Sequence, residues 1–222
     1  MTAAVLTADA IAPDLDGAAI SRYAALGDSF TAGAGAGRRR WTDGLAARLG
    51  TGNPGFAHRN FAQAGATSGD VLALQVPQTL EFGPELVTVV CGINDVLLPA
   101  HPDFGRYAAR LKEIVLALRK GAPGALIVTA TCPNLASRLP LTERVLERLM
   151  KEIDLLNEVT RSLAGRLDVP YVELTAEIPR PSPRSSEHPR VFCAARGTEA
   201  ESVAEAFGEV VETVHATALA GA

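Results

Sequence analysis

The sequence predicts a single-domain, three-layer α/β/α sandwich built on a five-stranded parallel sheet. Three observations lead to that class. Leu86-Val-Thr-Val-Val-Cys91 and Ala125-Leu-Ile-Val-Thr-Ala130 are unbroken apolar, β-branched runs, the pattern of strands buried on both faces. Tyr107–Lys120 and Glu143–Arg166 carry apolar residues at helical spacing. Strand-like and helix-like segments alternate along the chain, as they do when helices cover both sides of a parallel sheet.

Each element follows in order. Residues 1–20 read as a loose or partly helical lead-in to a domain spanning 21–222. Tyr23-Ala-Ala-Leu26 is a first strand that stops at Gly27. Trp41 to Leu49 reads as a helix with Thr42 as N-cap and Gly50 as its stop. Phe56 to Phe61 is a second strand. Thr67-Ser-Gly-Asp70 has the form of a capping box ahead of Val71, Leu72 and Leu74. Leu86–Cys91 is the third strand. In the helix at 107–120, Leu111, Ile114, Val115 and Leu118 share a face, and Gly121 and Pro123 end it. The fourth strand is Ala125–Ala130. In the helix at 143–166, Leu146, Leu149, Ile153, Leu156 and Leu163 fall near one face. Val169–Leu174 is the last strand. A polar Pro- and Ser-rich loop at 179–190 precedes a final helix from Thr198, with Thr198 and Glu201 as its capping box and Val203, Phe207, Val210 and Val214 on one side. No internal repeat or domain linker interrupts this pattern.

Composition narrows the function classes. Hydrophobic residues make up 47% of the 222, enough for a sizeable core, and aromatics only 5%, so the core is aliphatic. A formal charge of -4 gives no basic footprint for nucleic acid. Cys91, Cys132 and Cys193 are few, odd in number and far apart, which argues against a disulfide framework or a zinc ribbon and fits free thiols in a reducing compartment. The first residues carry no Lys or Arg before Arg22, and Asp9 breaks their apolar run, unlike a secretory signal. No stretch of about 18 apolar residues suggests a membrane span. The expected location is therefore cytoplasmic.

In open α/β sheets ligands bind beyond the carboxyl ends of the strands. Gly27-Asp28-Ser29-Phe30 follows the first strand, Asn60-Phe-Ala-Gln-Ala-Gly65 the second, and Gly92-Ile93-Asn94-Asp95 the third. His188-Pro189 stands between the last strand and the last helix. Singly, these read as turns, an N-cap, a loop glycine and an Asx-turn. Together and in this order they resemble the blocks of the SGNH, or GDSL-like, hydrolases, with Ser29, Gly65, Asn94 and His188 at the four name-giving positions. The resemblance covers roughly residues 22–215.

The resemblance implies an esterase, a serine hydrolase cleaving a carboxylic ester or thioester through an acyl-serine intermediate, with no cofactor. Ser29 is the implied nucleophile and His188 the base that activates it and then serves the leaving group. The implied oxyanion donors are the backbone N–H groups of Ser29 and Gly65 and the Asn94 side-chain amide. Of the other histidines, His215 lies in the final helix and His58 in the second strand, while His101 follows the Asn94 block and is a candidate pocket residue.

One departure matters. The family's last block reads Asp-x-x-His, but Ser185 stands three residues before His188. In the serine-protease triad, replacing the acid that orients the histidine costs about 10⁴-fold in turnover. Gly197 also lies farther from His188 than the family's usual glycine. Three alternatives follow: a backbone carbonyl takes over the orienting role, giving a Ser–His dyad of a kind some family members use; Glu187 substitutes; or hydrolytic power is lost and the protein is a binding module. The dyad is the expectation here. An acyltransferase on the same scaffold would use the same serine.

Two remaining features point less far. Gly33-Ala-Gly-Ala-Gly37 fails the dinucleotide fingerprint, because Arg38 and Arg40 occupy the third-glycine positions. Arg38-Arg39-Arg40 is either a solvated patch or a recognition site for an anionic group on the substrate, a small-molecule ester or thioester. Asp28 and Asp95 belong to turn motifs with no His or Cys cluster beside them, so no metal site is expected.

Overall fold

The computed structural model describes residues 4–5, 20–33, 40–133, 142–174 and 198–221. Its sheet runs β1 (Ala4–Val5), β6 (Tyr171–Val172), β5 (Leu126–Ala130), β4 (Leu86–Val90), β2 (Arg22–Gly27), β3 (Ala57–Asn60). Strands β2 to β6 form the expected five-stranded parallel sheet. β1 adds an antiparallel edge strand against β6, inside the segment read from sequence as a loose lead-in.

Side chains alternate across the pleat, so each buried strand feeds two cores. Ala24, Leu26, Val87, Val89 and Ile127 face one side. There they meet α4 (Val76–Phe82), α6 (Phe104–Gly121) and α7 (Glu143–Leu167) through Val76, Leu111, Ile114, Ile153 and Leu156. Tyr23, Ala25, Leu86, Val90, Leu126 and Val128 face the other side. There α2 (Trp41–Leu49) and α8 (Thr198–Gly221) cover them, with Trp41 stacked on Phe207 at 4.5 Å between ring centroids. The result is the three-layer sandwich expected from strands that read as apolar on both faces.

Several local expectations shift. α2 begins at Trp41 with Arg40 as its N-cap, not Thr42. Thr42 is fully buried and its hydroxyl accepts a hydrogen bond from Asn60 Nδ2 at 3.1 Å, so it serves the sheet edge instead. The last strand is shorter than read, since only Tyr171 and Val172 pair, and Pro170 has no N–H to extend the ladder. The Thr67–Asp70 capping box forms as expected: Asp70 N–H donates to the Thr67 hydroxyl, and Thr67 N–H to the Asp70 carboxylate. It opens α3 (Ser68–Asp70), which continues through a π-turn (Val71–Gln75) into α4. Two short helices, α1 (Ser29–Ala32) and α5 (Ile93–Leu97), occupy positions read as turns.

Candidate active site

Strands β3, β2 and β4 are neighbours in the sheet, and the chain leaves their carboxyl ends in the three polar blocks. Ser29 is the first residue of α1, directly after β2. Gly65 lies in the turn after β3. Asn94 sits in the first turn of α5, directly after β4.

Gly27 makes the turn to Ser29 possible. Its φ is +149°, and a Cβ there would fall 2.0 Å from the Val90 carbonyl oxygen, so no other residue fits. Asp28 then caps α1, its carboxylate accepting the Phe30 N–H at 2.9 Å. Ser29 stays partly exposed, and its N–H lies in the first helical turn, where an α-helix offers no partner of its own.

Gly65 has a φ of +84° and open space around it. Its requirement for glycine is therefore backbone conformation, not crowding, and the space leaves its peptide accessible. Asn94 is 8% exposed, and its Nδ2 donates to Ala66 O at 2.9 Å. An amide nitrogen carries two hydrogens, so one remains for a second acceptor. Asp95 ties the same two blocks together, accepting Ser68 N–H at 2.7 Å and Ser68 O–H at 2.6 Å. Arg110 approaches that carboxylate at 3.6 Å. Asn94 and Asp95 are thus helical residues joined to the Gly65 turn, not an isolated Asx-turn. On the far side, Asn60 Nδ2 donates to Thr31 O at 2.8 Å, fastening α1 to the end of β3.

The other candidates fall elsewhere. His101 is exposed between α5 and α6. His58 is half-buried in β3, stacked on Tyr23 at 4.8 Å, and burial lowers its affinity for a proton. Arg40 is exposed at the head of α2, its N–H donating to Asp43 at 3.3 Å and its stem lying across Gly33. It borders a small, mostly apolar cavity of about 250 Å³ with Asp43, Gly44 and Ala200. His188, Arg38 and Arg39 lie outside the described residues, as do Ser185 and Glu187.

Burial pushes the Asp28 carboxyl up to about 7; the charge of Asp95 adds to the rise and the Phe30 N–H opposes it. A carboxyl that holds its proton more tightly when folded stabilises the fold fully below its ordinary value of 3.8, and that contribution is lost as pH rises through about 7. Asp28→Asn keeps an acceptor for the Phe30 N–H but has no proton to lose. Urea unfolding should show wild type losing on the order of 4 kcal/mol across this window that the variant retains. Parallel stability curves for the two proteins would mean that Asp28 is not held protonated in the fold.

With this geometry in view, residues 25–218 match the GDSL-like lipase/acylhydrolase family. The chain belongs to that family. It is an enzyme of the esterase class, and its substrates are small-molecule esters. No curated protein matches the sequence. Solved structures share the fold at low identity. An extracellular lipase from Streptomyces rimosus is 21% identical, with a TM-score of 0.63 over 87% of this chain and 99% of that one. The acetylxylan esterase Axe2 from Geobacillus stearothermophilus is 18% identical, with a TM-score of 0.60 over 88% of this chain and 94% of that one. A GDSL-like lipase from Bacteroides thetaiotaomicron is 14% identical, with a TM-score of 0.61 over 89% of each chain. Among the described residues, no helix of this esterase is long and apolar enough to cross a membrane.

Proposed function

We propose that this esterase cleaves a carboxylic ester or thioester through an acyl intermediate on Ser29, with His188 as proton shuttle in a Ser–His dyad. The observation that carries the reading is the convergence of Ser29, Gly65 and Asn94 at the ends of three adjacent strands, with the Asn94 and Gly65 blocks hydrogen-bonded to each other. Ser29 Oγ adds to the substrate carbonyl while His188 takes its proton. The new alkoxide is held by Ser29 N–H, Gly65 N–H and the second N–H of Asn94. Collapse expels the alcohol or thiol, which receives the proton from His188. Water then repeats the sequence on the acyl-serine and releases the acid.

The assignment of the base draws on the other histidines. His58 is stacked in the sheet and His101 is exposed at the surface, and among the described residues neither bonds Ser29. In the Geobacillus acetylxylan esterase, catalytic mutants have been made at a serine, at a histidine and at an aspartate three residues before that histidine. Here Ser185 stands in the aspartate's place. The base is therefore oriented by a group other than that carboxylate, and a backbone carbonyl is the simplest donor-matched partner for the imidazole N–H.

Fluorophosphonate labelling followed by intact-protein mass tests the reading. One adduct on wild type, none on Ser29→Ala and slower labelling of His188→Ala are expected. A folded wild type that takes no label would make the protein a binding module instead, and a His188→Ala variant labelled as fast as wild type would remove His188 from the mechanism.

A further inference from the structure

The segment from Ser68 to Phe82 is one helix interrupted by the π-turn. Val76 N–H donates to Val71 O, one residue farther back than an α-helix reaches. Pro77 follows and has no N–H to give, so the widened turn sits where the regular ladder would already be broken. Such bulges recur at functional sites. Gln75 closes this one and is only 1% exposed, a polar side chain in an otherwise aliphatic stretch.

Its amide meets a single residue of β2 twice. Gly27 N–H donates to Gln75 Oε1 at 2.8 Å, and Gln75 Nε2 donates to Gly27 O at 2.8 Å. The same Gly27 carbonyl also accepts Gln63 N–H at 3.1 Å, from the turn that carries Gly65. Gly27 is thus the joint where the Ser29 turn and the Gly65 turn meet, and Gln75 holds that joint from behind.

We propose that Gln75 is a positioning residue for the esterase reaction: its two-point grip on Gly27 sets the placement of Ser29 and of the Gly65 N–H together. The proposal rests on the reading of Ser29 as nucleophile. The grip needs one acceptor and one donor side by side, which a carboxamide supplies. Methionine fills the volume but removes both bonds. An ionised glutamate accepts from Gly27 N–H but sets a second acceptor against Gly27 O, whereas a protonated one restores both bonds. The titratable groups around this joint include Asp28, next along the chain, and buried Cys91, and the charge of Asp95 acts on both. All three are present in wild type and in the variants, so the ratio to wild type isolates what residue 75 adds.

The test measures kcat per fluorophosphonate-reactive serine, with KM, for wild type, Gln75→Met and Gln75→Glu on one chromogenic acetate ester. Gln75→Met should lose roughly 10- to 100-fold in kcat per reactive site. Its KM should stay within about threefold, since what is lost is alignment in the transition state and not substrate binding. Relative to wild type, Gln75→Glu should be most active at low pH and fall through one ionisation between about pH 5 and about pH 10, the span in which a buried glutamic acid titrates. A Gln75→Met kcat per reactive site equal to wild type, whatever its melting temperature, would reduce Gln75 to a structural role and overturn the proposal. Should Gln75→Met not fold, Gln75→Glu decides: a ratio to wild type that does not change with pH overturns it. A wild type that takes no label brings down the nucleophile reading and this proposal together, whereas a labelled wild type with an unaffected Gln75→Met strikes this proposal alone.

Discussion

Ser29→Ala will lower kcat by about 10⁴- to 10⁶-fold while leaving KM and the melting temperature close to wild type. The size follows from what the substitution removes. In the proposed mechanism the hydroxyl oxygen is the atom that bonds to the substrate carbon, and nothing else in the turn replaces it. The backbone N–H of residue 29 survives, as do the Gly65 N–H and the Asn94 amide, so a small residual rate from oxyanion stabilisation remains. Stability should hold because Ser29 is partly exposed and the cap of α1 belongs to Asp28, not to Ser29. Steady-state hydrolysis of a chromogenic ester beside a thermal melt checks both halves. A variant keeping more than about a tenth of the wild-type rate would place the nucleophile elsewhere, because residues acting as one unit lose nearly everything when one is removed. By the same reasoning His188→Ala should fall almost as far as Ser29→Ala, and their combination scarcely farther.

What the sequence makes legible here depends on whether a signal is local. Leu86–Val90 and Leu126–Ala130 are readable because burial on both faces demands apolar residues without a break. α6 and α7 are readable because they are long enough for helical spacing to repeat. α1 and α5 are not, since four or five residues do not complete a pattern. The pairing of Ala4–Val5 with Val172–Tyr171 is set by distant partners, and nothing in either dipeptide announces it. Ser29, Gly65 and Asn94 stand out because each lies in a polar block just past a strand. Gln75 does not: within Val71-Leu-Ala-Leu-Gln75 it passes for the polar side of a helix, and the π-turn is what accompanies its burial against Gly27. Its faint signal was a lone amide just before Val76-Pro77. Arg40, read with its neighbours as either a solvated patch or an anion-recognition site, has a definite structural task as the head of α2, so neutralising it would disturb that helix as well as any substrate contact.

Asn94→Ala will lower kcat by about 10²- to 10³-fold, the loss seen when one side-chain donor leaves an oxyanion hole. The loss is smaller than for Ser29 because two backbone donors remain. It should fall on kcat and not on folding, for a reason visible in the hydrogen bonds. Asn94 contributes one bond to the Gly65 turn, through Ala66 O, but Asp95 contributes two through Ser68 N–H and O–H, and Arg110 closes on the same carboxylate. The blocks therefore stay docked when the Asn94 amide is cut away. Asn94→Asp sharpens the test. It keeps the size of the side chain but sets an ionised oxygen against Ala66 O and against the negative charge that develops on the substrate, so it should be slower than Asn94→Ala. If Asn94 were only a strut between the two turns, both variants would lower the melting temperature while kcat per labelled Ser29 stayed within about threefold of wild type. If it is an oxyanion donor, kcat falls in both, farther in the aspartate, while fluorophosphonate still finds Ser29.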